Sequence, residues 1–192
     1  MLRLTLLPEI KTVVVDPPWT PALCAGQPSR VRGRAAPQKH YPTMSLDDII
    51  AIRPPLAKKS HLYIWCLSQH IDWGFELARA WGAKPITTLT WCKPGLGCGR
   101  FRCNTEHVVI ARRGDPTGNP FGFTGSNGQA TRGTYFHWPR GRHSHKPQEM
   151  FDLVQTISPG PFLDMYARST REGWWCWGNE IGLIDPEGNN VD

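Results

Sequence analysis

A run of β-branched residues near the start of the chain ends abruptly at an aspartate and two prolines. Residues 12–15 are Thr-Val-Val-Val, and Asp16, Pro17 and Pro18 follow. Such a run favours a short buried strand, and proline, which has no N–H to donate, cannot continue it. In open α/β sheets, ligands bind just beyond the carboxyl ends of the strands. The sequence therefore predicts that Asp16 stands in a loop at a binding site.

Further short apolar runs alternate with stretches of helical periodicity. Strands are predicted over residues 61–66, 85–91, 105–111, 162–166 and 174–177. Helices are predicted over residues 45–52, from Ser68 to a stop at Gly82, and over residues 146–157. This alternation predicts an α/β domain with a largely parallel sheet, in which strands 85–91 and 105–111 form an antiparallel pair at one edge.

Length and composition favour one folded domain without a membrane span. A chain of 192 residues suits a single domain, 1–192, with long loops over about residues 20–40 and 114–133. No apolar run approaches the roughly 20 residues of a membrane-spanning helix, and the first residues lack the features of a secretory signal. An integral membrane protein is therefore excluded, and we expect a cytoplasmic location.

The six cysteines are expected to be free thiols, because a reducing compartment disfavours disulfides. Zinc is the alternative for a group of four potential ligands, which are Cys92, Cys98, Cys103 and His107. Their spacing lacks the closely spaced cysteine pairs of structural zinc sites. The sequence therefore favours no metal.

Lysines and arginines outnumber acidic residues 22 to 16, and the net charge of +6 favours a polyanionic partner. Two groups of basic side chains are candidates for phosphate contacts: Arg30, Arg32, Arg34 and Lys39 in the first long loop, and Arg132, Arg140 and Arg142 around the end of the second. A solvated surface segment is the alternative for the first group. Three aromatic residues, Tyr135, Phe136 and Trp138, lie among the second group and either stack on bases or pack at a sheet edge.

The tetrapeptide after the first strand combines groups that suit a planar heterocycle with an exocyclic amine. The Asp16 carboxylate accepts hydrogen bonds, and Trp19 offers a flat apolar face. Two successive prolines fix the backbone, and we expect them to leave its carbonyl groups without a local N–H competitor. A rigid turn beside a buried tryptophan is the alternative interpretation.

Four motifs occur in an order that resembles the MT-A70-like adenine-N6 methyltransferases. They are Asp16-Pro-Pro-Trp19, Tyr41-Pro-Thr-Met44, Ser144-His-Lys-Pro147 and Trp177-Gly-Asn-Glu180. The resemblance spans about residues 12–182. It implies a Rossmann-like, S-adenosylmethionine-dependent methyltransferase fold in permuted order, with the catalytic strand before the cofactor-binding strands. The predicted strands 162–166 and 174–177 would then be the cofactor-binding strands.

The resemblance also implies roles for individual residues in methyl transfer to the N6 amine. Asp16 and the carbonyl group of Pro17 would accept the amine hydrogens, in a turn that Pro18 completes. Trp19 would stack on the target base, and Tyr41 would line its pocket. Cofactor contacts are implied for His145, Lys146, Asp164, Arg168, Asn179 and Glu180. Arg168, Asn179 and Glu180 would surround the ribose, and Lys146 would meet the methionine carboxylate.

The small size of the chain resembles the bacterial and phage branch of the family. This implies DNA as the favoured substrate, in the cytoplasm of a bacterium or a phage-infected host. An RNA adenine-N6 methyltransferase and a catalytically silent nucleic-acid-binding subunit are the alternatives, and family analogy allows a homodimer. The intact Asp16–Trp19 tetrapeptide favours an active enzyme over a silent subunit. An adenine in a duplex must leave the base stack before its N6 can react, unless the substrate is unpaired.

Overall fold

The computed structural model of the chain describes residues 3–20, 42–95, 103–116, 133–141 and 145–191. In these ranges the strands are β1 (Ile10–Val15), β2 (Leu56–Leu67), β3 (Lys84–Cys92), β4 (Thr105–Arg113), β5 (Tyr135–Phe136), β6 (Phe162–Met165), β7 (Trp174–Gly178) and β8 (Gly182–Ile184). The helices are α1 (Leu46–Ala51), α2 (Ile71–Ala80) and α3 (Gln148–Ile157), with short 3-10 turns at Arg3–Leu6 and Ser68–His70. None of the described helices has the length and apolar character needed to cross a membrane.

The strands form a mixed sheet in the order β5-β3-β4-β2-β1-β6-β7-β8. β1 pairs in parallel with β2 and β6, and β6 pairs in parallel with β7. β4 runs antiparallel to both β2 and β3, and β8 runs antiparallel to β7. The predicted antiparallel pair is confirmed, and the sheet is mixed, with four parallel and three antiparallel pairings. β4 returns directly between β2 and β3, and neighbouring antiparallel strands need only a short connection.

The antiparallel pair is not the edge of the sheet. β4 is internal because it lies between β2 and β3. The two-residue strand β5 pairs in parallel with β3 on its outer side, so β3 is not the last strand. Strands as short as β5 and β8 are below the length at which alternation can be recognised in a sequence. Neither was predicted.

Side chains alternate along β1 between two apolar layers. Val13 and Val15 belong to the layer that includes residues of α1 and α2, whereas Val14 belongs to the layer that includes α3. A strand covered on both faces is expected to be a continuous apolar run, as the sequence here is. Asp16, the next residue, therefore stands at the carboxyl end of a rigid central strand.

The ends of α1 and α2 follow local sequence signals with one exception. Ser45 caps α1 by accepting a hydrogen bond from the Asp48 N–H, and Gly82, with a φ of 79°, follows the end of α2. The prediction that Ser68 caps α2 is wrong, because a 3-10 turn intervenes and the helix begins at residue 71. The Ser68 hydroxyl instead lies 3.1 Å from Nε2 of His107.

The third helix, α3, begins at Gln148, two residues later than the sequence predicts. Pro147 explains the delay, because a proline disfavours helical backbone angles in the residue before it. Lys146 therefore lies in the segment that leads into the helix, where its side chain reaches the carboxyl end of β1.

A buried histidine predicts loss of stability in mild acid. His61 is fully buried, and its Nδ1 lies 2.8 Å from the Ser158 hydroxyl, which also lies 2.7 Å from the Tyr63 hydroxyl. The His61 Nε2 has no partner in the described structure. Burial, followed by repulsion from Arg112, lowers the pKa of His61 to about 4 from an ordinary 6.5.

The unfolded chain therefore binds a proton at His61 at a higher pH than the folded chain does. This contribution to stability is complete above pH 6.5 and is lost as the pH falls towards 4, with a loss of about 1–3 kcal/mol in the free energy of unfolding. Denaturant unfolding between pH 7 and pH 4.5 measures the slope. The variant His61→Asn should be less stable at pH 7 but should have a flatter pH dependence, and an unchanged slope would contradict the prediction.

Candidate active site

The turn after β1 is held by hydrogen bonds on both sides. The Asp16 N–H donates to the Met165 carbonyl at 3.2 Å, which extends the β1–β6 ladder by one residue. The Trp19 N–H donates to the Pro17 carbonyl, and the Met44 N–H donates to the Pro18 carbonyl, both at 2.8 Å. The prediction that these carbonyls have no N–H competitor is therefore wrong. A carbonyl oxygen has two lone pairs, so each can still accept one further hydrogen bond.

Trp19 anchors this turn to the neighbouring strand. Only 7% of Trp19 is exposed, and its indole N–H donates to the Trp65 carbonyl at 2.9 Å. Its ring centre lies 6.0 Å from those of His70 and Trp73. In this structure the ring therefore contacts protein, and stacking on a base remains a prediction.

The second motif of the sequence adjoins the first. Met44 forms a parallel β-bridge with Trp19, and its carbonyl accepts hydrogen bonds from both the N–H and the hydroxyl of Thr20. The predicted base-pocket residue Tyr41 precedes this bridge but lies outside the described residues. The turn at Asp16 is thus fixed by β6, by β2 and by the segment before α1.

Lys146 connects Asp16 to a second carboxylate. Its Nζ lies 2.8 Å from Asp16 Oδ1 and 3.3 Å from Glu106 Oε2, and it lies 5.2 Å from the ring centre of Trp65. The other oxygen of Glu106, Oε1, lies 2.7 Å from Nζ of Lys93. The four charged side chains therefore alternate in sign along a line that runs from β3 through β4 to β1.

These contacts decide the charge of the group. Burial alone would lower the pKa of Lys146, but the two carboxylates outweigh it and raise that pKa above its ordinary value. Burial would raise the pKa of Glu106, but Lys146 and Lys93 outweigh it and hold that pKa below its usual range. For Asp16, burial is the larger effect and raises its pKa, while Lys146 opposes the rise. Asp16 is thus the carboxylate of the pair for which burial outweighs the neighbouring ammonium group.

A pocket that is open to solvent lies beside Asp16, at the carboxyl ends of β1 and β6. Five predicted site residues line it: Asp16, His145, Lys146, Asp164 and Arg168. Asn179 and Glu180 do not line it; both are exposed in the turn after β7. The structure therefore brings together one part of the predicted cofactor site and leaves the two ribose candidates outside the pocket wall.

Three side chains in the pocket wall each carry a buried polar atom that has no hydrogen-bond partner in the described structure. They are the Trp65 indole N–H, the Tyr166 hydroxyl and Nε of Arg171. Tyr166 also has a φ of 64°, an unusual value for a residue other than glycine. Buried polar groups are normally satisfied, so three orphaned donors in one pocket wall fit a polar ligand.

Arg171 also contacts Asp164 and affects the charge of that carboxyl group in the pocket wall. Its Nη2 lies 3.6 Å from Asp164 Oδ2, its guanidinium carbon lies 3.4 Å above the Phe151 ring centre, and it bonds to Gln148. Burial raises the pKa of Asp164 to about 7, with Arg171 opposing and Asp16 adding to the rise. A bound cation would restore the charge of Asp164, so this wall suits a positively charged or hydroxyl-bearing ligand.

Most of the basic residues that were predicted to contact nucleic acid lie outside the described residues. Arg30, Arg32, Arg34, Lys39, Arg132 and Arg142 lie outside the described residues, and Arg140 is exposed. Of the three aromatic residues nearby, Phe136 and Trp138 stack on each other with ring centres 4.3 Å apart, and the Trp138 carbonyl accepts from the Trp91 indole. These two pack at the sheet edge, whereas 64% of Tyr135 is exposed.

The potential zinc ligands that the structure describes are a histidine with two hydroxyl neighbours and two free thiols. The two ring nitrogens of His107 each lie 3.1 Å from a hydroxyl, that of Ser68 and that of Thr90. Cys92 and Cys103 are free thiols, and Cys98 is outside the described residues. Within the described ranges no three candidate ligands group closely enough to hold a metal ion.

Sequence reasoning missed four residues of the site: Lys93, Glu106, Tyr166 and Arg171. Glu106 had a visible signal, because it is a carboxylate two residues before the apolar run 108–111 of β4. Lys93 directly follows β3, where a charged residue after a strand is unremarkable. Tyr166 and Arg171 become notable only through their unpartnered polar atoms, which no sequence pattern reveals.

Comparison with known proteins gives a family for this arrangement. The MT-A70 family model matches residues 10–180. An N(6)-adenosine-methyltransferase MT-A70-like protein of Drosophila melanogaster is 25% identical over 203 residues, which cover 97% of this chain and 30% of that protein. The human N(6)-adenosine-methyltransferase catalytic subunit METTL3 is 23% identical, with 97% and 31% covered.

A fungal relative is matched over more of its length. The N6-methyladenosine RNA methyltransferase MTA1 of Cryphonectria parasitica is 26% identical over 198 residues, which cover 91% of this chain and 52% of that protein. This chain thus spans about a third or less of the fly and human relatives and about half of the fungal one.

Proposed function

This chain belongs to the MT-A70 family, as its motifs predicted, and on that basis we propose that it is an S-adenosylmethionine-dependent methyltransferase acting on the N6 amine of adenine in nucleic acid. The observation that supports this most is the position of Asp16. It stands at the carboxyl end of the central strand, beside a pocket with unpartnered polar groups, and is paired with Lys146. A silent subunit would have no need for an acceptor held in this way.

The turn supplies what a poor nucleophile needs. The lone pair of an adenine amine is delocalised into the ring, so the amine must be oriented before it can react. The Asp16 carboxylate and the free lone pair of the Pro17 carbonyl can accept its two hydrogens and aim the nitrogen at the methyl group. Lys146 opposes the rise that burial causes in the pKa of Asp16 and so favours its charged form, in which both oxygens accept and neither donates.

The pocket residues fit a nucleoside cofactor with a charged tail. When bound, S-adenosylmethionine supplies a methyl group on a positively charged sulfur. Asp164 and the unpartnered Tyr166 hydroxyl and Arg171 Nε would contact its polar groups, together with His145 and Arg168. Lys146 has one N–H beyond its two carboxylates for the methionine carboxylate. Asn179 and Glu180 would reach the ribose from the turn after β7.

The order of the strands supports the implied fold. The Asp16 strand, β1, comes first in the chain yet lies beside β6, which pairs in turn with β7, and β6 and β7 are the strands assigned to the cofactor. We propose that this is the Rossmann-like sheet in permuted order. The chain as one methyltransferase domain, the cytoplasmic location, the bacterial or phage origin and the homodimer all remain predictions.

RNA is the substrate class that we propose. The fly and human relatives are named for adenosine methylation and the fungal relative for RNA methylation, so the comparisons favour the alternative of an RNA enzyme over the expectation of DNA. The net charge of +6 suits either polyanion. An RNA substrate also makes base flipping unnecessary where the target adenine is unpaired.

The test is incorporation of label from S-adenosylmethionine into matched oligonucleotides. Purified protein is incubated with single-stranded RNA, single-stranded DNA and duplex DNA of the same adenine-containing sequences, drawn from a randomised pool. We expect label in RNA at several times the level in either DNA. Preferential labelling of DNA would reverse the substrate assignment, and cofactor binding without any label would favour the silent-subunit alternative.

A further inference from the structure

The row of four side chains with alternating charge extends well beyond the reacting groups. Lys93 and Glu106 lie on the far side of Lys146 from Asp16, and Lys93 and Glu106 do not line the pocket. Lys146 and Glu106 each expose 14% of the side chain, and Lys93 exposes 19%. All three are therefore largely removed from water.

Such an arrangement is costly to bury and needs a reason. A buried ion pair is often no more stable than apolar side chains of the same volume, because desolvation offsets the attraction. Here the two ammonium groups lie over neighbouring tryptophan rings, Lys146 Nζ 5.2 Å from the Trp65 ring centre and Lys93 Nζ 5.6 Å from that of Trp91. Since buried ion pairs do not in general add stability, stability alone does not account for the charges.

Glu106 contacts two ammonium groups, those of Lys93 and Lys146. Its contact with Lys93 limits how strongly it attracts Lys146. Its Oε1 lies 2.7 Å from Lys93, whereas its Oε2 lies at the longer distance of 3.3 Å from Lys146. Lys146 in turn lies closer to Asp16, at 2.8 Å. Because Lys93 neutralises much of the Glu106 charge, Glu106 can orient Lys146 without drawing it away from Asp16.

We propose that Lys93 and Glu106 are positioning residues, which act through Lys146 to keep Asp16 charged and aimed at the substrate amine. This inference rests on the proposed function for its catalytic consequence, but the electrostatic link itself does not. Removing the Lys93 charge would leave Glu106 competing fully with Asp16 for a single ammonium group. The whole cluster would then have one more negative than positive charge, which favours protonation of Asp16.

The groups that face Asp16 determine the sign of this effect. Lys146 before α3 and Arg168 after β6 stabilise its charge. Glu106 from β4 opposes that charge, as do Asp164 from β6 and, when ionised, Cys66 from β2. These opposing groups stand on three strands and stay in place when the Lys93 charge is removed, so they do not compensate for its loss. The pKa of Asp16 should rise.

The variant Lys93→Met tests the link, because methionine removes the charge and keeps an unbranched side chain of nearly the same length beside Trp91. We expect the acid limb of the pH profile of kcat to move up by about 0.5–1 pH unit. The KM for S-adenosylmethionine should stay within about twofold, because Lys93 does not line the pocket. Lys93→Arg should restore the wild-type profile. The matched control is Lys84→Met, which removes the same charge from the exposed start of β3.

A second readout needs no enzymatic activity. The chain is labelled with carboxyl-13C aspartate, the Asp16 signal is identified by its loss in Asp16→Asn, and its titration is followed by NMR. The inference expects the Asp16 midpoint to rise by about 0.5–1 unit in Lys93→Met relative to Lys84→Met. Equal midpoints in these two variants would overturn it. If no methyl transfer is found in the wild type, the proposed function fails, and this titration still decides the electrostatic link.

Discussion

Replacement of Asp16 by asparagine is expected to reduce methyl transfer by about 100- to 1,000-fold at pH 7.5, the range found when one preorganised group at a reacting centre is removed. Asparagine keeps the size of the side chain, but its amide presents N–H donors to an amine that needs acceptors. It also removes the negative charge that lies 2.8 Å from the Lys146 ammonium. The loss should be in kcat, because the interaction matters most when the amine becomes nucleophilic.

Folding and cofactor binding should survive this change. Lys146 keeps Glu106 as a partner, so the substitution does not leave an unpaired buried cation. Thermal unfolding and a calorimetric titration with S-adenosylmethionine check these two properties. The matched control is Asp72→Asn, an exposed aspartate at the start of α2. Activity of Asp16→Asn within tenfold of this control would contradict the assigned role.

Replacement of Gly178 by alanine is expected to disrupt the cofactor side of the site. A Cβ at this position would lie 2.0 Å from the Ala167 carbonyl oxygen and 3.0 Å from two further backbone atoms of the same residue. Backbone cannot yield as a flexible side chain does, so the turn after β6 must move. That turn is also tied to β7 by the hydrogen bond from the Ala167 N–H to the Trp177 carbonyl at 2.9 Å.

The movement should affect both stability and binding. We expect the free energy of unfolding to fall by about 2–3 kcal/mol, as for other insertions into a filled space. Affinity for S-adenosylmethionine should fall at least about tenfold, because Tyr166 and Arg168 flank the displaced residue and line the pocket. Gly133→Ala is the control, since its nearest neighbouring atoms lie 3.8 Å from the added carbon. Wild-type stability and affinity in Gly178→Ala would contradict the close approach.

The sequence indicated the scaffold of the site because local signals determine it. The β-branched run before Asp16 favoured a buried strand, and the serine at residue 45 and the glycine at residue 82 act within one helical turn. The order of the strands was less accessible. Insertion of β4 between β2 and β3 depends on pairings between residues far apart in the chain, which periodicity does not encode.

The charges around Asp16 were beyond the reach of the sequence for the same reason. Lys146 was identified as a site residue, but as a contact of the cofactor carboxylate, since nothing local indicates that two carboxylates enclose its ammonium group. Glu106 lies 40 residues from Lys146 along the chain, and only the folded sheet brings them together. The prediction that the Pro17 carbonyl has no N–H competitor failed, because the turn brings the Trp19 N–H back to that carbonyl.

The most direct test of the central claim is the chemical position of the transferred methyl group. Wild-type protein and the Asp16→Asn variant are incubated with S-adenosylmethionine that carries a deuterated methyl group and with an adenine-containing RNA pool. The nucleosides are then separated and identified by mass spectrometry. The account predicts labelled N6-methyladenosine with the wild type and at least a hundredfold less with the variant. Label at another atom of adenine, or equal amounts of N6-methyladenosine from both proteins, would contradict it.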